Sequence, residues 1–121
     1  MRMRTTQQTA ILLATILNRS ELTRARVSAK TIKILAIRQN LRSAFVIDLI
    51  ANLAEFGWIL FEISSGGYGA VQVKTLEAAK PVTAKRFFTD DERRALRQGK
   101  TTPEEFEAEA SPQEEDSADD E

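Results

Sequence analysis

Neither cysteine nor histidine occurs among the 121 residues of the chain. Without cysteine there can be no disulfide, no thiolate nucleophile and no cysteine-ligated zinc or iron–sulfur site. Without histidine the chain lacks the commonest general base and the commonest metal ligand. Because Ser-His-Asp and Cys-His chemistry needs these residues, the sequence predicts a protein that is not an enzyme and that holds no metal and no cofactor.

Long apolar runs are missing as well. The first residues, MRMRTTQQ, lack the apolar stretch of a secretory signal peptide, and no run approaches the ~20 apolar residues of a membrane-spanning helix. We therefore expect a cytoplasmic protein with no membrane partner. The length allows one domain and a short appendage.

Charges are plentiful but separated along the chain. Residues 1–100 hold all 17 Lys and Arg with 8 Asp and Glu, a net charge of +9, whereas residues 101–121 hold ten acids and no base. A region of one charge sign attracts polyanions, although ordinary solubility would also use such charges. The last residues, 111–121, contain no large apolar side chain and predict a disordered acidic tail.

Three stretches have the spacing of amphipathic helices, with apolar side chains recurring at steps of three and four residues. Thr5 and Ser28 are the predicted N-terminal caps of the first two. The predicted helices cover residues 5–19, 29–38 and 42–56. We expect a left-handed turn at Gln39-Asn40 between the last two, and Gly57 to end the third. The apolar face of the first helix consists of Thr9, Leu12, Leu13, Ile16 and Leu17.

Alternating polar and apolar residues predict strands. A short strand covers residues 24–27, with Ala25 and Val27 inward, and a hairpin has strands at 58–63 and 70–74 joined by the glycine-rich run SSGGYG. The alternation places Ile59, Phe61 and Ile63 on the same face as Val71 and Val73. These helices and strands together predict an α+β fold.

A short helical turn is predicted at 76–80. Further ones at 89–98 and from Thr102 belong to a predicted C-terminal helical extension over 81–110. Its basic residues flank Phe87-Phe88. Such a mixture binds nucleic acid in some proteins, but a Phe pair more often docks a terminal helix on the core. The basic residues of this cluster are Lys85, Arg86, Arg93, Arg94 and Arg97.

The order helix, strand, helix, tight turn, helix and glycine-tipped hairpin resembles that of winged helix-turn-helix domains. The resemblance covers residues 5–76, within a domain set at 5–80, and rests on the third helix running through Glu55-Phe56-Gly57-Trp58-Ile59 into the hairpin. It implies a small winged helix-turn-helix protein that binds double-stranded DNA, as a transcriptional regulator or an accessory factor. Family members usually dimerise, so a homodimer is expected too. An unrelated α+β fold with the same order is the alternative.

The resemblance also assigns residues to DNA. The third helix would enter the major groove by its N-terminal half, where Arg42 and Ser43 face outward, with Asn52 further along. Asp48 and Ile47 are poorly suited to this position and favour a second hypothesis, a module that docks a protein partner. Arg42 would then be only a solvated residue at a helix start.

The hairpin, called the wing in this family, would supply a second contact. Gly67 and Tyr68 at its tip would approach phosphate or sugar, with Lys74 on the outer face of the returning strand, although the glycines serve the turn geometry equally well. Basic residues around the second helix would neutralise phosphates. The full predicted set is Arg24, Arg26, Lys30, Lys33, Arg38, Asn40, Arg42, Ser43, Gly67, Tyr68 and Lys74.

Overall fold

The computed structural model describes residues 2–112, and the contacts of the chain divide it into two units, Met1–Ala79 and Lys80–Glu121. The first unit contains α1 (Thr6–Ser20), β1 (Arg24–Val27), α2 (Ala29–Ala36), α3 (Ser43–Ala54), β2 (Trp58–Glu62), β3 (Tyr68–Gln72) and α4 (Val73–Glu77). The second contains α5 (Ala84–Phe87), α6 (Asp90–Arg97), a 3-10 turn (Pro103–Phe106) and α7 (Glu107–Ala110). The α+β prediction is confirmed. Residues 113–121 of the predicted tail lie outside the described residues.

Helices α1 and α2 begin where the sequence supplies side-chain caps. The Thr5 hydroxyl accepts the Gln8 N–H at 3.1 Å, while the Gln8 side chain accepts the Thr5 N–H at 3.0 Å. Ser28 caps α2 in the same way by accepting the Thr31 N–H. Each bond satisfies an amide that no helical carbonyl can reach, so the predicted starts of these helices are confirmed.

Helix α2 ends earlier than predicted. Its last residue is Ala36, and the left-handed position is Ile37, at φ 54° and ψ 53°, rather than Asn40. A β-branched side chain rarely adopts this conformation. The expected left-handed turn at Gln39-Asn40 is therefore wrong. Propensity at those two positions was outweighed by a contact with an earlier part of the chain, because Arg4 donates hydrogen bonds to the Leu35 and Ala36 carbonyls at the end of α2.

The sheet is antiparallel with strand order β1-β3-β2. One face packs on the helices through Val27, Leu60, Tyr68 and Ala70, all buried. Ala25 and Val27 point inward as predicted, since Ala25 packs against this core. The core is completed by α1, α2 and α3.

The apolar side chains that alternation places on one face of the hairpin lie on the side of the sheet that faces away from the helices. Trp58 and Leu60 are buried, whereas Ile59 and Phe61 are 40% and 44% exposed. Because the run from Trp58 to Ile63 is mostly apolar, alternation did not identify the buried side. Trp58 settles it: its indole N–H donates to Asn18 of α1 at 3.1 Å.

Two faces of the helices also differ from their predicted composition. In α1, Ala10 and Ala14 are buried while Ile16 is 39% exposed, because α1 contacts both α2 and α3 and small residues permit close approach. In α3, Phe45, Val46, Leu49 and Leu53 are buried as expected, but Phe56 lies beyond the helix end and is exposed. Gly57 has φ 86° and turns the chain into β2, as predicted.

The second unit is made of short helices. Thr89 and Glu92 form the predicted capping box at the start of α6. Arg93 pairs with Asp90, and Arg94 pairs with Asp91 at 3.0 Å. Phe88 packs edge-on against Phe106, with ring centroids 5.3 Å apart, whereas Phe87 is exposed. Only one member of the Phe pair therefore packs in an aromatic contact.

Candidate nucleic-acid interface

Unpaired positive charge is the main electrostatic feature of the first unit. Residues 2–79 contain ten Lys and Arg and five Asp and Glu. Among residues 2–112, the ion pairs both lie within α6, so no Lys or Arg nitrogen of the first unit is within 4.0 Å of a described carboxylate oxygen. Within the described residues, no carboxylate therefore offsets these cations at contact distance, and such a region attracts polyanions.

A shallow depression of about 520 Å³ follows the outward side of α2. Ile32 and Ala36 are fully buried, so the helical period turns Lys30, Lys33 and Ile34 away from the core. Ile34 is 63% exposed and lies one turn after Lys30 on the same side of the helix. The depression is lined by Lys30, Lys33, Ile34, Ile37, Arg38 and Gln39.

A second depression of about 530 Å³ covers the turn from α2 to α3. It shares three residues with the first, so the two form one continuous surface, which we call the α2-turn surface. Met3, Asn40 and Arg42 complete the lining of the second depression. The α2-turn surface consists of Met3, Lys30, Lys33, Ile34, Ile37, Arg38, Gln39, Asn40 and Arg42.

Arg38 is held in place at the centre of this surface. Its guanidinium carbon lies 4.1 Å from the Phe45 ring centroid, and its Nη2 donates to the Arg4 carbonyl at 3.0 Å. Arg4 in turn donates its backbone N–H to the Ala36 carbonyl and its Nη1 to the Leu35 carbonyl, each at 2.9 Å. Arg38 therefore contributes a fixed charge, and part of its donor capacity is already used.

Helix α3 contributes little charge to a reading face. Arg42, its N-cap residue, is exposed and makes no capping bond with its side chain, and Ser43 is exposed beside it. Further along, Ile47 is 65% exposed, and no Lys or Arg occurs in Ser43–Ala54. The outward position expected for Asn52 is wrong. Its amide donates to the Thr6 hydroxyl at 3.0 Å and so ties α3 to α1.

The hairpin tip and the start of α2 form a notch of about 460 Å³. Gly66 and Gly67 have φ angles of 119° and 80°, so the turn requires them whatever else they do. A Cβ on Gly67 would lie 3.3 Å from the Val27 carbonyl oxygen. The notch is lined by Arg26, Val27, Ser28, Ala29, Ser65, Gly66, Gly67 and Tyr68.

Two predicted placements at the hairpin are wrong. Tyr68 is not at an exposed tip: it begins β3, pairs with Val27, and is 8% exposed. Burial raises the pKa of its phenol, and the Glu62 carboxylate raises it further. Lys74 is not on the returning strand either, because β3 ends at Gln72 and Lys74 lies in α4.

The residues predicted to contact DNA lie in several different places on the first unit. Lys30, Lys33, Arg38, Asn40 and Arg42 share the α2-turn surface, with Ser43 next to Arg42 in sequence. Gly67 and Tyr68 line the notch. Arg24 and Arg26 lie on the side of the sheet that faces away from the helices. Arg26 also reaches the notch.

Sequence reasoning missed the apolar part of the α2-turn surface. Ile34 follows from the helical wheel, since it lies one turn after Lys30 and opposite the buried Ile32. Ile37 gave no such signal, because its exposure depends on where α2 ends. Gln39, which lines both depressions, was treated only as part of the break.

Comparison of the chain with protein-family models, curated proteins and solved structures found no match. Within residues 2–112, no helix has the length and apolar character needed to cross a membrane.

Proposed function

We propose that the first unit is a winged helix-turn-helix domain that binds double-stranded DNA, as a transcriptional regulator or an accessory factor. The observation that carries this proposal is the α2-turn surface, a continuous area with four cations and no described carboxylate within 4.0 Å of them. Duplex DNA presents a dense array of phosphates to such a surface. The element order and the sheet order β1-β3-β2 add support, since α2 and α3 are joined by a short turn and β2 and β3 by the hairpin.

Phosphate contacts would dominate this binding. Lys30, Lys33 and Arg42 are free to meet phosphates, which position a protein on DNA without reading bases. Arg42 and Ser43 are the two residues placed to reach a base edge. Because the phosphate contacts are electrostatic, we expect high affinity for duplex DNA at low salt. Because α3 carries no further cation to reach the bases, we expect only a modest preference among DNA sequences.

The test is a salt series on a mixed-sequence duplex. The variant Lys30→Gln/Lys33→Gln removes one exposed and one half-buried cation from α2. Each lost phosphate contact lowers the salt slope of the association constant by about 0.9. We expect the slope to fall by about two units and low-salt affinity to fall at least tenfold. Fluorescence anisotropy of a labelled duplex measures both quantities.

A matched control is Arg19→Gln, in the last turn of α1. The N-terminal end of α1 lies next to the end of α2, and Arg19 is about 20 Å further along the helix. This variant should bind as the wild type does. The proposal is wrong if both variants lose the same affinity for the duplex, or if the wild type does not bind duplex DNA at low salt.

A second candidate function is docking of a protein partner on α3. The observation that favours it is the exposed side of this helix, where Ile47 stands between Ala44 and Ala51, all exposed. Ile47→Glu distinguishes the two functions. If α3 enters a DNA groove, the added carboxylate weakens duplex binding. If α3 instead docks a protein and the domain does not bind DNA, the wild-type protein already fails to bind the duplex. Sedimentation of the wild type then shows whether the partner is a second copy of the chain.

A further inference from the structure

The side of the sheet that faces away from the helices carries an arrangement that duplex binding does not use. The strand register aligns Arg26, Gly69 and Phe61 in one row across the sheet, and Arg24, Val71 and Ile59 in the next. Their neighbours in each strand, Ala70 and Leu60 among them, are buried on the opposite face. We call the six residues of these two rows the outer sheet face.

The Phe61 ring covers Gly69 on this face. A Cβ on Gly69 would be 2.5 Å from Cζ of Phe61 and 2.7 Å from Cε2, so the ring occupies the space above the glycine. The φ angle of Gly69 is not in the left-handed region, and its importance is therefore the missing side chain. Phe61 is nevertheless 44% exposed, so part of its side chain remains accessible to a ligand.

Cations stand beside this ring. Arg24 and Arg26 are exposed on β1, two residues and about 6.7 Å apart along the strand. Neither is within 4.0 Å of a described carboxylate, and none of the six residues of the face is acidic. Arg24, Arg26, Phe61 and Val71 line one depression of about 460 Å³. The face thus combines unneutralised charge with an open aromatic surface.

We propose that the outer sheet face binds single-stranded nucleic acid, with an unpaired base stacked on Phe61 and neighbouring phosphates bound by Arg24 and Arg26. A flat ring flanked by cations is the arrangement that holds single strands with little sequence preference. A duplex offers only its phosphates to this face, because the faces of its bases are covered by their neighbours. This site is additional to the α2-turn surface and does not depend on it.

The test compares a labelled oligothymidine of about 12 nucleotides, within the usual site size, with a duplex of the same length. In Phe61→Ala, single-strand affinity should fall about tenfold, whereas duplex affinity stays unchanged. Phe61→Tyr keeps the ring and should retain single-strand binding. Arg24→Gln/Arg26→Gln should lower the single-strand salt slope by about 1.4, since each phosphate contact contributes about 0.7.

Phe56→Ala is the matched control, because Phe56 is also a phenylalanine and is 43% exposed, close to the 44% of Phe61, but lies after α3. It should leave single-strand affinity unchanged. Emission from Trp58, the one tryptophan and a buried residue, verifies that each variant is folded.

The results separate this inference from the proposal on duplex DNA. Single-strand binding that is lost in Phe61→Ala supports it even if the wild type ignores duplexes. Absence of single-strand binding by the wild type, or equal affinity in Phe61→Ala and Phe56→Ala, overturns it. A labelled acidic peptide, EEFEAEA, provides the last arm: if Phe61→Ala weakens peptide binding alone, the face is a peptide site and the inference is wrong.

Discussion

The phenol of Tyr68 is a side chain whose ionisation is coupled to folding. It is packed on the core side of β3, where burial and then Glu62 raise its pKa above the ordinary 10.0. Below this ordinary value the phenol is protonated in both folded and unfolded chains. Above it the unfolded chain loses the proton first, so the stabilisation that the neutral phenol gives is lost as pH rises through the folded pKa.

We therefore expect the free energy of unfolding to fall more steeply between about pH 9 and pH 11 in the wild type than in Tyr68→Phe. Urea unfolding followed by Trp58 emission at a series of pH values measures this difference. All other ionisable groups are common to both proteins, so their contributions cancel in the comparison. Parallel pH profiles would show that Tyr68 ionises equally in the folded and unfolded chains.

At the scale of elements, the end of α2 is a point of backbone strain. Ile37 holds a left-handed conformation that costs an L residue about 1–2 kcal/mol. Asparagine and glycine adopt this conformation more readily than isoleucine does. We expect Ile37→Asn to raise the free energy of unfolding by about 1 kcal/mol.

Glu21 provides the comparison, because it ends α1 in a similar conformation at φ 61° without β-branching. Glu21→Asn should therefore give a smaller gain than Ile37→Asn in urea unfolding. A loss of stability in Ile37→Asn would show that the partial burial of Ile37 outweighs its strain.

Local signals predicted the elements, and long-range packing decided their details. Caps such as Thr5 and Ser28 act within one helical turn, so sequence alone located the helix starts. The buried face of β2 depends instead on the contact of Trp58 with Asn18, 40 residues away. Likewise, Tyr68 joins a strand because β3 pairs with distant β1. The cationic part of the candidate interface was predictable, whereas Ile37 and the position of Phe61 above Gly69 were not.

For the whole molecule, the separation of charge along the sequence is the dominant property. Residues 111–121 contain six acids, whereas residues 1–100 have a net charge of +9. Acids tethered to a basic domain reach an effective concentration of order millimolar and compete with DNA phosphates. Deleting residues 111–121 should therefore tighten non-specific duplex binding, most at low salt where screening is weakest.

Relative preference among DNA sequences should hardly change in this truncation, because phosphate contacts do not specify bases. A full-length variant with its six acids changed to the corresponding amides keeps the length and removes the charge, and should bind as tightly as the truncated protein. Anisotropy on one non-specific duplex across a salt series compares the three proteins. Equal affinities at low salt would leave solubility as the role of these acids.

The packing of Phe61 on Gly69 also bears on how the hairpin finds its alignment. Both sides of β2 are apolar, so a slip of one residue would exchange Trp58 and Leu60 for Ile59 and Phe61 with little hydrophobic penalty. Gly69 opposes that slip, because it leaves room for the ring in the observed pairing. Gly69 therefore favours the observed register of the hairpin, and we expect its replacement by a residue with a Cβ to favour a misaligned hairpin.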